Sequence, residues 1–388
     1  MIKELSIRNF RSIREATLEL GRFTVLTGAN NSGKSSVLYA LQVLKNVVTN
    51  PNRSVDELLN LGFLNLGGME NCVFRSDNNL TTQLGISAAA NFEGYRLHTS
   101  YELTMGAKEN SLGISLIEPK KESALLKVSF PYLGNKNASL GIGDWNGLTT
   151  RQLFSDSGLI EEGADLPVKS LSQTDVIPTS RGFYKPIFNT TPLNGQIYTE
   201  DEVATLLAID KDVQSKVAYY FEKITGKRFS ISIQPGMGFF YMQVREADGS
   251  FSTELVNQGM GMNQIVFLLA KILYGKNRLI CIDEPEIHLH PSLIEQFVRV
   301  LVEIAEKENK QFIFSTHSEH WLLSLLAEVN DGKLAADDLK VYYLQKNDQE
   351  TNVEQQQVMP NGQLEGGLKN FMESQMRLAE RFFDTTTA

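Results

Sequence analysis

The chain holds only two cysteines, Cys72 and Cys281, in 388 residues, which rules out a disulfide framework. Cys281 lies inside the apolar run Leu279–Ile282 and reads as a small core residue. No apolar run reaches the roughly 20 residues needed to cross a bilayer. The start MIKELSIRNF brings charge at once and has no signal-peptide core. These absences predict a cytoplasmic chain with no membrane partner. An excess of positive charge is also missing. Net charge is −9, whereas a protein that coats DNA over a broad face is usually basic. DNA contact would need a local patch, and the candidate is Lys3, Arg8, Arg11, Arg14 and Arg22, diluted by Glu4, Glu15 and Glu19. A solvated edge of mixed charge is the simpler reading of it. There is no internal repeat and no heptad tract to make a coiled-coil arm. What remains, 42% hydrophobic and 21% charged, is an ordinary globular composition, long enough for one large core or two lobes.

Two strands are expected around Leu5–Phe10 and Ala16–Leu20, and a short apolar strand, Phe23–Thr27, runs straight into Gly28. After Ser36 the positions Val37, Leu38, Leu41, Leu44 and Val48 recur at helical spacing. Gln83–Ser87, Leu97–Leu103 and Leu125–Phe130 read as an antiparallel meander. Residues 135–200 are rich in Gly, Asn, Ser, Thr and Asp and resist assignment. Glu202–Ile224 reads as one helix, and Phe229–Gln234 with Phe239–Arg245 as a hairpin. Asn263–Tyr274 is apolar almost all round and predicts a buried helix stopped by Gly275. Leu279–Ile282 and Gln311–Phe314 are buried strands. Between them Ser292 and Glu295 predict a capping box for a helix through about Glu306. Val341–Leu344 and Val353–Val358 suggest a closing hairpin, and Leu368, Phe371, Met372, Leu378 and Phe382 a final amphipathic helix.

The chemistry sits at strand ends. Gly28-x4-Gly33-Lys34-Ser35 stands between a strand and a helix, where a phosphate loop belongs. Its glycines turn backbone N–H groups of Gly28, Asn30, Asn31, Ser32, Gly33 and Ser36 toward phosphate oxygens at the positive end of a helix. Lys34 would reach the β- and γ-phosphates of ATP, and the Ser35 hydroxyl would take a position on Mg2+. Asp283 and Glu284 end the next apolar strand. Asp283 would hold magnesium, and Glu284 would orient and deprotonate the attacking water. The alternative is a solvated pair, which would not need so apolar a strand before it. His317, in Ser315-Thr316-His317-Ser318, would hydrogen-bond the γ-phosphate. Gly259 and Gly261, in Gln258-Gly259-Met260-Gly261-Met262-Asn263-Gln264, open the buried helix with free N–H groups suited to the γ-phosphate held by a second copy of the chain. The competing reading there is a helix-entry turn. Four of the five histidines (His288, His290, His317, His320) lie close together, and His288, His290 and Glu286 could bind a transition metal. The other reading of His288 and His290 is a dimer contact beside the nucleotide.

The order of phosphate loop, long insertion, double-glycine signature, DEPE and STHS resembles the ABC-type ATPase fold. Within it the chain resembles the OLD family (overcoming lysogenization defect), through LSIRNFRSIREATLELGRFTVLTGANNSGKSS, DEPEIHLHPSL and GMGMNQIVFLL; the first stretch is also similar to RecF and SMC proteins. IPTSRGFY around Arg181 resembles an arginine-containing segment of these relatives. Met260 stands where the signature usually carries serine, and His290 where an aspartate often follows the acid pair. OLD proteins continue into a Toprim nuclease domain, and the about 70 residues after His317 are too few for one. VMPNGQLEGGL also lacks a nuclease's acidic cluster, so any nuclease is expected on a separate polypeptide.

The resemblance implies an α/β P-loop ABC-type ATPase with a mixed central sheet, an antiparallel β meander in lobe I and a helical lobe II. It would be one discontinuous domain over 1–388: an N-terminal lobe 1–134, an insertion and helical lobe 135–250, and the signature helix, acid-pair strand and C-terminal hairpin in 251–388. The implied activity is Mg-dependent ATP hydrolysis in nucleotide-sandwiched homodimers, or oligomers built from them. The implied role is the sensor or motor of an anti-phage defence system, with a separate effector such as a nuclease. The alternatives are a RecF-like repair ATPase that binds DNA directly and, behind it, a transporter subunit.

Overall fold

The computed structural model describes residues 1–49, 53–92, 95–106, 110–118, 121–129, 166–193, 197–233 and 238–367. Its centre is a six-stranded mixed sheet. In spatial order it runs β16 (Glu350–Gln356), β15 (Leu339–Asn347), β3 (Phe23–Thr27), β14 (Gln311–Thr316), β13 (Leu279–Asp283) and β8 (Thr174–Ile177). All neighbours are parallel except β15 and β16, which form a hairpin. Parallel strands covered on both faces need side chains that are apolar in both directions, and β3, β13 and β14 are buried at every position.

Alternate side chains feed two cores. Phe23, Val25, Ile280, Ile282, Phe312 and Phe314 enter one, and Leu26, Cys281 and Ile313 the other. The second core is closed by α1 (Lys34–Thr49), by the short helices α2 (Val55–Leu58) and α3 (Met69–Cys72), and by an antiparallel sheet. That sheet orders β2 (Ile13–Glu19), β1 (Ile2–Phe10), β4 (Thr82–Phe92), β5 (Tyr95–Met105), β6 (Asn110–Glu118) and β7 (Lys121–Ser129). The meander is therefore present, and it continues the N-terminal hairpin rather than standing apart. The first core is closed by helices: α4 (Glu200–Ile209), α5 (Lys211–Thr225), α6 (Met260–Leu273), α7 (Pro291–Lys307) and α8 (Glu319–Asn330). A small sheet of β9 (Phe188–Asn189), β10 (Arg228–Ile233), β11 (Phe239–Arg245) and β12 (Ser252–Glu254) packs beside them.

Two local expectations change. The single helix over Glu202–Ile224 is two, because Asp210 is extended (φ −92°, ψ 98°) and its carboxylate accepts the Val213 N–H at 3.1 Å, starting α5 afresh. The cap of α7 is His290, not Ser292. Pro291 takes the first helical position, where a missing N–H costs nothing, and His290 Nδ1 accepts the Ser292 N–H at 3.3 Å. Glu295 pairs instead with Arg299, one turn on, at 2.9 Å. The strand β8 lies in the stretch that the sequence left unassigned. The expected helix over Leu368–Phe382 and all of residues 135–165 lie outside the described residues.

Candidate functional site

Because β14 lies between β3 and β13, three carboxyl-terminal strand ends meet at one edge of the sheet. They deliver Gly28 onward, Ser315–His317 and Asp283–Glu284 to the same place, where ligands sit in open parallel sheets. The loop is built for close approach. Gly28 has φ +141°, and a Cβ on it would lie 2.1 Å from the Leu344 carbonyl oxygen on β15. Gly33, at φ +98°, faces Thr351 Oγ1 of β16 at 2.6 Å on the same test. The Thr351 hydroxyl donates to Ser12 Oγ at 2.8 Å. The C-terminal hairpin thus presses against the loop from outside.

Lys34 Nζ donates to the carbonyls of Gly28 (2.9 Å) and Ala29 (2.8 Å). Burial lowers its pKa, against the raising pull of Glu284, Asp283 and Glu286. Ser35 Oγ donates to both Asp283 oxygens, at 3.1 and 3.0 Å, and Ser315 Oγ donates to Asp283 as well. Ser32 Oγ is buried and has no hydrogen-bond partner. A cavity of about 870 Å³ opens here, lined by Asn30 to Ser36 of the loop and by Glu284. Lys34, the Ser35 and Asp283 oxygens and Glu284 therefore meet in one place, although Ser35 and Asp283 stand 248 residues apart in the chain.

Glu284 takes φ +47°, a left-handed conformation that costs a non-glycine residue about 1–3 kcal/mol and persists where its surroundings hold it. Its N–H donates to the Ser315 carbonyl at 2.7 Å. The buried Arg181, 2% exposed, donates to the carbonyls of Asp283 (2.6 Å) and Glu284 (2.7 Å). Burial pushes the Arg181 pKa down to about 10. His317, half exposed, has Nδ1 at 3.5 Å from Glu284 and 3.6 Å from Glu286. Glu286 is occupied: the Thr316 hydroxyl donates to it at 2.7 Å and the His317 N–H at 3.2 Å, while burial raises its pKa. His290 is committed to capping α7, and among the described residues no group of three or more His, Cys, Asp or Glu side chains is placed to hold a metal ion.

Gly259 and Gly261 do not line this cavity. Gly259 (φ +87°) is the N-cap of α6 and has nothing within 4 Å of its missing Cβ. Gly261 lies against the His288 carbonyl, 2.7 Å from a Cβ position. Other residues enter the site that the motifs did not announce. Arg11, read above as a possible DNA contact, lies over the Tyr39 ring at 5.4 Å and lines the cavity with it, as do Arg75, Lys346 and Gln349. No short pattern marks them. Arg11 alone had a signal, its place in the basic N-terminal segment.

A glycine loop between parallel strand and helix, facing an acid pair across the next strand, defines a P-loop α/β nucleotide-binding fold. The family described as "AAA ATPase domain" matches residues 1–121 and 186–322, more than half of the chain, and the chain belongs to that family. It is 25% identical over 362 residues to the OLD nuclease of Thermus scotoductus, covering 85% of this chain and 60% of that protein, so the chain spans about three fifths of the length of that curated relative. Among solved structures it is similar to an Smc head bound to the C-terminal winged-helix domain of ScpA (TM-score 0.51, 12% identity, 91% of this chain and 97% of that one). It is also similar to an Smc head with an extended coiled coil bound to the C-terminal domain of ScpA from Pyrococcus furiosus (TM-score 0.50, 10% identity, 98% and 99%). The fold is thus that of an SMC-type head, an ABC-type P-loop architecture of mixed and antiparallel sheets with helices.

Proposed function

We propose that the chain is a Mg-dependent ATPase that closes as a homodimer on ATP. The observation that carries this reading is the direct contact of Ser35 Oγ with the Asp283 carboxylate, in the site that Lys34 and Glu284 share. Lys34, exchanging the loop carbonyls for phosphate oxygens, would hold the β- and γ-phosphates, with backbone N–H groups of Asn30 to Ser36 and the unpartnered Ser32 hydroxyl around them. Ser35 and Asp283 offer hard oxygen donors, the set a magnesium ion takes while keeping several waters. Bound there, magnesium would offset charge on the β- and γ-phosphates. Glu284 accepts a proton from water as the water oxygen bonds to the γ-phosphorus and the bond to the β,γ-bridging oxygen breaks, giving ADP and inorganic phosphate. His317 would donate to the γ-phosphate. The uncovered α6 start would meet the γ-phosphate of the second copy through Gly259 and Gly261. ATP then favours the closed pair because it binds that state better than the open one.

Similarity to an OLD nuclease supports a role as the sensor or motor of an anti-phage defence system that acts with a separate effector such as a nuclease. In the Glu284→Gln variant, sedimentation with Mg-ATP should find a stable dimer, and a monomer under those conditions contradicts the sandwich. A second reading, direct DNA binding, is favoured by Arg8, Arg14 and Arg75 around a separate cavity of about 630 Å³. Glu15, Asp77 and Glu350 line it too, which dilutes the field. Salt-dependent duplex binding, lost in Arg8→Glu/Arg14→Glu, would support that reading.

A further inference from the structure

Between β8 and β9 the chain runs from the acid pair to the second turn of α6, and it is hydrogen-bonded to both. On one side lie the two bonds from Arg181 to the Asp283 and Glu284 carbonyls. On the other, Asn263 of α6 grips Phe183 twice: its Oδ1 accepts the Phe183 N–H at 2.7 Å and its Nδ2 donates to the Phe183 carbonyl at 2.5 Å. Gln264 Nε2 donates to the Arg181 carbonyl at 2.6 Å. Asn263 and Gln264 are each 1% exposed. Between the two grips Gly182 takes φ +125°, and a Cβ there would come within 3.0 Å of Asn263 Oδ1, so glycine is what lets the segment lie this close. Closely packed elements move between discrete arrangements rather than deforming by degrees.

We propose that residues 181–183 are a strap that couples the start of α6 to the catalytic carboxylate of the same subunit. This deepens the sandwich reading and rests on it. When the α6 start takes up the partner's γ-phosphate, the helix carries Asn263 and Gln264 with it. They carry the strap, and Arg181 carries the Asp283 and Glu284 backbone. Glu284 sits in a conformation that its surroundings must hold, and Arg181 is the side chain holding its carbonyl. Arg181, Asn263 and Gln264 are positioning residues. They let hydrolysis wait for the second copy.

The test is Gln264→Met in the full chain, which keeps volume and removes the donor. The expected result is unchanged Mg-ATP affinity and thermal midpoint, an intact ATP-dependent dimer when combined with Glu284→Gln, and a kcat about 10²-fold lower, the scale of a misplaced catalytic group. Hydrolysis should also stop rising with protein concentration although the dimer forms. Arg181→Lys should keep part of the rate that Arg181→Met loses, and its effect should be non-additive with Gln264→Met. Wild-type turnover in Gln264→Met, additive effects, or a rate loss that follows loss of dimer or of stability would each overturn the strap. Those results leave the sandwich standing, whereas failure of Glu284→Gln alone to dimerise removes the sandwich and the strap with it.

Discussion

The two glycine-marked helix starts of this protein are built in opposite ways. The start of α1 is enclosed by its own chain: Leu344 and Thr351 press on Gly28 and Gly33, Lys34 folds onto the loop carbonyls, and Asp283 holds Ser35. The start of α6 is open at Gly259, which has nothing within 4 Å of a Cβ position, while Gly261 lies against the His288 carbonyl and the Leu289 side chain. Yet behind its first turn α6 is tied down firmly, through Asn263 and Gln264. One end is complete within the chain. The other is held from behind and open at Gly259, the surface that the proposed second copy would cover.

Three substitutions sharpen that contrast. Lys34→Met should have the largest effect, lowering ATP hydrolysis by about 10²–10³-fold or more, as loss of a preorganised charge contact does. A steady-state phosphate-release assay measures it. Next come added methyl groups. Gly28→Ala drives a Cβ into the Leu344 carbonyl and should cost about 3 kcal/mol of stability or more with backbone strain included. Gly259→Ala meets open space and should cost only the strain of its positive φ, about 1–3 kcal/mol. Denaturant titration compares the two, and equal losses would erase the distinction between closed and open starts.

The smallest effect lies away from both ends. Burial pushes Lys310 down to about 8 from 10.5, while its Nζ donates to the carbonyls of Asn277 (2.7 Å) and Tyr274 (3.2 Å) behind α6. At pH 9 the unfolded chain keeps a proton that folded Lys310 has released, so this group adds stability as pH climbs from about 8 to 10.5. Cys72, raised to about 11 by burial, works the other way above its ordinary value of 9. The stability difference between the wild type and Lys310→Met, measured by urea unfolding across that range, isolates the lysine. A difference that is flat with pH would contradict its burial.

Legibility in the sequence followed locality. The phosphate loop, the acid pair and Phe23–Thr27 were readable because each is contiguous, and the strand-then-helix context told one glycine loop from many others. The hairpin over residues 339–356 was readable as a hairpin. That β15 would lie beside β3 and set Leu344 on Gly28 was not, since parallel neighbours are chosen by packing across the whole sheet. Thr174–Ile177 was lost for the same reason, four buried residues in a polar stretch. Arg181 could be seen as part of a resemblance. Its grip on two main-chain carbonyls carries no side-chain pattern that a sequence could display. The Ser292 cap failed because Pro291 set the helix start two residues earlier, with His290 as the cap, a local rule that outranked the motif.

The most direct measurement mixes two inactive variants. Lys34→Ala lacks the loop lysine but keeps a sound α6 start, while Gly259→Asp keeps the loop and sets a carboxylate at that start. If ATP lies between two copies, the mixture contains one competent site per mixed dimer, and hydrolysis returns although neither variant hydrolyses ATP alone. If the mixture stays inactive while the mixed dimer forms, the nucleotide is not shared between copies, and the account is wrong at its centre.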